Sequence, residues 1–167
     1  MDARRSADTV KNRVTVERAS EREIVVTRSF DAPARLVFAA WSKPELFRQW
    51  WVPKSMGMNL LSCEMDVRTG GRYRLEFANP DGPEPVAFFG RYLDVVPDSR
   101  IVWTNEESGD AGSVTTVTLD ENDGKTRLVM RELYPSKEAL DAAGTGAADA
   151  MVETFGQLDE VLRSLGR

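Results

Sequence analysis

An α+β fold, with a long C-terminal helix laid across an antiparallel sheet, follows from three features of the sequence. Strand-like segments succeed one another from residue 60 to residue 134 with short connections, which favours antiparallel neighbours. Two short helical segments precede them, just after a first strand. At the end Met151, Phe155, Leu158, Leu162 and Leu165 recur at steps of four and three, one apolar stripe along a helix that needs a sheet to cover.

The elements can be justified in order. EIVVTRSF (Glu23–Phe30) is rich in β-branched residues and ends at the turn-like Asp31-Ala32-Pro33. Val14 and Val16 alternate with polar neighbours before it and predict a short extra strand. Asp31 is placed to cap a helix with Pro33 in its first turn, in which Leu36, Val37, Ala40 and Trp41 recur at helical spacing. Ser42-Lys43-Pro44-Glu45 reads as a capping box for a second helix, from Pro44 to about Trp50. Leu60–Val67 then meets the hairpin turn Thr69-Gly70-Gly71. Arg72–Ala78 alternates, with Tyr73, Leu75 and Phe77 on one face. NPDGPEP is a loop by composition. Val86–Val96, Arg100–Glu106, Ser113–Asp120 and Lys125–Tyr134 are four further strands, the middle connection being Glu107–Gly112. Ser136 is placed to cap Lys137–Ala143, and Gly144 and Gly146 interrupt the helix before its apolar stripe begins.

Composition excludes several function classes. The chain has 167 residues, enough for one domain, read as a tail over residues 1–22 and a domain over residues 23–167. Its net charge of −5 argues against nucleic acid, whose phosphates are bound by clustered Lys and Arg. No apolar run reaches the ~20 residues of a membrane span, and the N-terminus lacks the apolar stretch of a secretory signal. No membrane and a cytoplasmic location are therefore expected. There is no histidine, which removes Ser–His and Cys–His catalysis and histidine-bound metals. Cys63 is the only cysteine, so no intrachain disulfide and no structural zinc are expected.

The segment FDAPARLVFAAWSKPELFRQWW (Phe30–Trp51), the hairpin GGRYR, FFGRYLDVVPDSRIVWT (Phe88–Thr104) and TRLVMRELYPSKEALD (Thr126–Asp141) together resemble the SRPBCC, or START-like, superfamily. Within it the chain is most similar to bacterial relatives of the heat-shock-protein-90 ATPase activator. The resemblance implies a helix-grip fold: a curved sheet of six or seven antiparallel strands wrapped around the last helix, with a cavity between. The family includes ligand carriers, cyclases and chaperone regulators, so it does not imply one function.

Candidate pocket residues follow from this geometry. On Lys125–Tyr134 the more apolar face carries Leu128, Met130, Glu132 and Tyr134. A carboxylate there would have a raised pKa if alone, or stay ionised if Arg91 reached it. Arg91 shares the alternation Phe89-Arg91-Leu93-Val95. Trp41, Phe47, Trp50, Trp51, Phe77, Phe88, Phe89, Tyr92, Trp103 and Phe155 supply rings for pocket walls or for plain core packing, and Tyr73 is a further pocket candidate. Trp50 and Trp51 are adjacent, so both cannot face the core, and one is expected at a pocket mouth or an interface. Met151 and Phe155 face the sheet from the last helix. No catalytic residue, metal or cofactor is expected. The leading expectation is a domain that binds a small hydrophobic or amphipathic molecule. The alternatives are a chaperone-regulating interaction domain and a cyclase- or aromatase-type enzyme using a carboxylate or tyrosine. A weak homodimer, formed through Trp50 or Trp51 and the Val14–Val16 strand, is the expected assembly.

Overall fold

The chain enters through β1 (Thr15–Arg18) and returns antiparallel as β2 (Glu23–Phe30), whose Ile24, Val26 and Phe30 are buried. The structure, a computed structural model, describes residues 14–57, 59–79, 81–106, 112–143 and 146–166. The tail before Val14, most of the Glu107–Gly112 connection and the interrupting Gly144 lie outside the described residues.

After β2 come α1 (Ala34–Ser42), α2 (Pro44–Phe47) and a 3-10 turn at Lys54–Met56. The meander follows: β3 (Leu60–Met65), β4 (Arg72–Phe77), β5 (Val86–Val96), β6 (Arg100–Thr104), β7 (Val114–Asn122) and β8 (Lys125–Leu133). Then α3 (Lys137–Ala143) and α4 (Gly146–Leu165) close the chain. The eight strands of the described residues form one antiparallel sheet in the order β1-β2-β8-β7-β6-β5-β4-β3. The predicted six or seven strands become eight because the early valine segment does pair, as β1 against β2.

Local chemistry sets the corners. β7 and β8 turn at Asp123-Gly124, both with positive φ (54° and 76°), the two-residue turn whose twist matches that of paired strands. At the β3–β4 hairpin Gly71 has no room for a side chain, since a Cβ would fall 1.9 Å from the Asp66 carbonyl oxygen. Two expected caps do not form. Asp31 leaves the start of α1 to Glu121, whose carboxylate accepts the Ala34 N–H at 2.7 Å from the β7–β8 hairpin, and pairs instead with Lys125. Ser42 is still the last residue of α1, so Lys43 holds the cap position of α2 and no side chain caps it. The Ser136 cap does form, its hydroxyl accepting the Ala139 N–H at 3.1 Å.

The core lies where α4 crosses the sheet. Phe155, Leu158 and Leu162 of the predicted stripe are buried, and Phe155 meets Phe30 edge-on at 5.6 Å. Arg28 points from β2 into this layer, pairing with Asp159 of α4 at 2.5 Å and lying over the Phe30 ring. Burial of Met151, Phe155, Leu158 and Leu162 fills most of the space under α4. The sheet extends beyond it, and β3 to β6 are covered by the short helices instead.

An apolar chamber under the short helices

The sequence segment Trp41–Trp51 folds back on itself because four large rings need cover from water. Trp41, Phe47, Trp50 and Trp51 stack within 6.2 Å of one another, Phe47 and Trp51 nearly parallel at 4.9 Å. Trp50 takes the core side: it is fully buried, and its indole N–H donates to the Ala40 carbonyl at 3.0 Å. Trp51, one residue on, must turn the other way, and it is half-buried. Trp50 therefore has no surface left for the expected dimer contact.

Between these rings and β3–β6 lies a chamber of about 200 Å³. Trp41, Phe47 and Trp51 form its roof; Met65, Tyr73, Leu75, Phe77, Phe88 and Tyr92 line it from β3, β4 and β5. Ile101, Trp103 and Asn105 complete the wall from β6 and the residue just beyond it. Its polar neighbours are ordered. Tyr73 donates its phenol hydrogen to the Thr104 carbonyl at 2.7 Å, and the Asn105 amide donates to Ser113 and Thr115. Tyr92 lies deep in the wall, where burial pushes its phenol well above the ordinary value and the nearby Cys63 and Asp66 add to the shift.

A smaller chamber of about 90 Å³ adjoins it, sharing Trp51, Trp103 and Asn105 as a partition. It lies under the start of α4 and is lined by Ile24, Val26, Thr115, Met130, Glu132 and Met151. Glu132 accepts hydrogen bonds from the Tyr134 phenol at 2.9 Å and the Thr115 hydroxyl at 3.4 Å. Burial, and then the Glu132 charge, push the Tyr134 phenol above its ordinary value.

Trp51 is held by a residue that sequence reasoning passed over. Gln157 of α4 donates from its amide to the carbonyls of Trp50 (2.9 Å) and Val52 (2.8 Å), and accepts the Lys54 N–H at 2.9 Å. One turn earlier Glu153 accepts both the N–H and the hydroxyl of Ser55. The available signal was an amide set between Phe155 and Leu158, on the buried side of the stripe.

The expected pocket residues are thus divided. Trp41, Trp51, Tyr73, Phe77 and Trp103 line the larger chamber, and Met130, Glu132 and Met151 the smaller one. Tyr134 reaches the smaller chamber only through its bond to Glu132. Trp50 and Phe155 line neither, being fully buried in the core. Phe89 and Arg91 point away, because β5 registers Gly90 against Tyr73 and thereby turns Phe89 toward Arg74 and Arg91 toward Arg72 on the outer face. Arg91 pairs there with Glu106 at 2.8 Å and cannot balance Glu132; the pairing holds the Glu106 carboxyl below its usual range. The rings Phe47, Phe88 and Tyr92, open in the sequence between core and pocket wall, line the larger chamber, and so do Met65, Leu75, Ile101 and Asn105, which the sequence does not mark.

Solved structures of other proteins share this geometry. A crystal structure of a protein from Rhodobacter sphaeroides superposes with a TM-score of 0.80 at 25% identity, over 92% of this chain and 99% of that one. A solution structure from Staphylococcus epidermidis gives 0.75 at 26% identity, over 90% and 94%. A crystal structure from Chromobacterium violaceum gives 0.68 at 27%, over 84% and 96%. No curated protein matches the chain. The family described as Activator of Hsp90 ATPase homolog 1-like protein matches residues 31–163, a span running from the turn before α1 to the last turns of α4. The chain belongs to this family, within the SRPBCC superfamily and its helix-grip fold.

Proposed function

We propose that the protein binds a small apolar or amphipathic molecule in the larger chamber. The observation that supports this most is the chamber itself, about 200 Å³ walled mainly by aromatic and aliphatic side chains. Well-packed interiors keep few voids larger than a water molecule, and an apolar void of this size stays dry until an apolar guest enters. Its lining contains no carboxylate, lysine or arginine, so the chamber suits retention rather than acid–base chemistry. Native mass spectrometry of the freshly purified protein tests the reading. A copurifying small molecule, or a melting temperature raised by small aromatic compounds and not raised in Ile101→Phe, supports it. An empty protein indifferent to such compounds contradicts it.

The outer face supports a second reading, a chaperone-regulating interaction domain of the kind the family description names. Phe89 is exposed there, with Arg74 at 5.7 Å from its ring and Arg91 on the same face. Stimulation of a chaperone ATPase that survives Ile101→Phe and is lost in Phe89→Ser would favour this reading over the first.

A further inference from the structure

Two hydrogen-bond donors in the wall of the larger chamber have no acceptor. The Trp41 indole N–H is buried without a partner, in a residue 2% exposed. The Tyr92 hydroxyl, in a residue 5% exposed, makes no hydrogen bond among the described residues either, but its oxygen is not sealed from water as the Trp41 nitrogen is. Their neighbours differ. Trp50 donates to Ala40, and Tyr73 to Thr104, each at ordinary length. A buried donor without an acceptor costs about 1–3 kcal/mol, and buried Trp and Tyr nearly always find partners. One sealed donor and one open donor, on residues that line the same apolar chamber, suggest that the acceptor arrives with the guest.

We infer that the chamber takes a neutral ring compound bearing a hydrogen-bond-accepting oxygen, such as a ketone, ester or amide carbonyl, received by Tyr92 and Trp41. This rests on the binding reading above and sets the ligand's chemistry within it. The other charge classes fit less well. A ring-lined chamber can attract a quaternary ammonium through the ring faces, but an N–H and an O–H directed at a cation would oppose it. An anion would be buried with no Lys or Arg among the lining residues. Indole can only donate, so the ligand must accept at Trp41; the phenol can donate or accept. Burial keeps Tyr92 protonated at neutral pH, so its hydrogen is available. A cavity of about 150 Å³ admits benzene, so about 200 Å³ suits one ring with a short substituent.

The test compares three probes of similar shape by NMR titration, following the indole N–H signals. These are acetophenone, α-methylstyrene (its carbonyl replaced by an alkene) and benzyltrimethylammonium. Acetophenone is expected to bind about tenfold more tightly than α-methylstyrene and to move the Trp41 N–H signal downfield. Tyr92→Phe should remove most of that preference while leaving α-methylstyrene binding unchanged. Trp41→Phe assigns the signal and should remove the remainder; if it does not fold, Tyr92→Phe and the wild-type signals decide. Equal affinity for the ketone and the alkene, or tightest binding of the cation, would overturn the inference and leave the binding reading standing. Binding of none of the three would overturn both.

Discussion

Gln157 is a single amide whose three hydrogen bonds fix the chain from Trp50 to the start of the 3-10 turn at Lys54. Replacing it with Leu keeps the volume and strands three backbone groups, so the expected cost is about 1–3 kcal/mol in urea unfolding. The Trp51 fluorescence environment should change with it, and an unaltered midpoint and spectrum would show the loop is held otherwise. Arg28 and Asp159 raise a different question, because an ion pair with one buried member is harmed most by losing the other. Asp159→Ala should destabilise by about 3 kcal/mol, while Arg28→Met combined with Asp159→Leu should recover much of that loss. A double variant no better than the single one would mean the pair stabilises more than its apolar replacement. Tyr92 supplies a pH signature. Below its ordinary value of 10.0 both folded and unfolded chains hold the proton. Above it the unfolded chain releases the proton first, so stability falls as pH rises toward the higher folded value. Tyr134 and Cys63, raised by burial as well, act in the same direction. Tyr92→Phe should therefore lose stability less steeply than wild type at alkaline pH, and an identical slope would place the phenol in water. Residue parity was the least legible level of the sequence. Phe88 and Phe89 are both apolar, and nothing in the alternation says that Gly90 faces inward. It does so because the Thr104 carbonyl comes close enough to exclude any Cβ, which would fall 2.0 Å from that oxygen.

At the scale of elements most of the fold was legible, because each long segment repeats one period. The α4 stripe and the alternation of β4 state their buried faces directly, and those faces are the ones buried. Helix starts were less legible. The Asp31 and Ser42 caps are sound local chemistry, but Glu121, 87 residues from Ala34 in sequence, outcompetes the first. The second is overridden because α1 continues through Ser42. Gly90→Ala tests the close approach of β5 and β6 and should cost about 1–3 kcal/mol, as overpacking against backbone does. A neutral substitution there would mean that the strands can part. The clasp between α4 and the 3-10 turn carries its own pH dependence. Hydrogen bonds from the Ser55 hydroxyl and N–H hold the Glu153 carboxyl below its ordinary 4.5. The clasp is thus complete above that value and opens as pH falls through the lower folded one. The Ser55 amide signal should titrate there in wild type and be insensitive in Glu153→Gln; the same titration in both would exclude the clasp.

For the whole molecule, the family resemblance places a cavity between the sheet and the last helix, and the larger chamber lies elsewhere. α4 closes on the sheet and leaves, among the described residues, a small space by Met151 and Glu132 under its start. The half of the sheet formed by β3 to β6 extends past it, under a roof of two short helices and Trp51. Sequence patterns report which face of an element is apolar. They do not report how far two apolar faces stand apart, and that separation decides between core and chamber. The aromatic residues were visible for this reason, and their division into packed and pocket-lining rings was not. Crystals of the protein pressurised with xenon test the central claim most directly, since xenon enters dry apolar cavities without needing any particular polar group. Xenon density among Trp41, Trp51, Leu75 and Ile101 is the expected result. Density confined to the space beneath α4, or none at all, would contradict a binding chamber under the short helices.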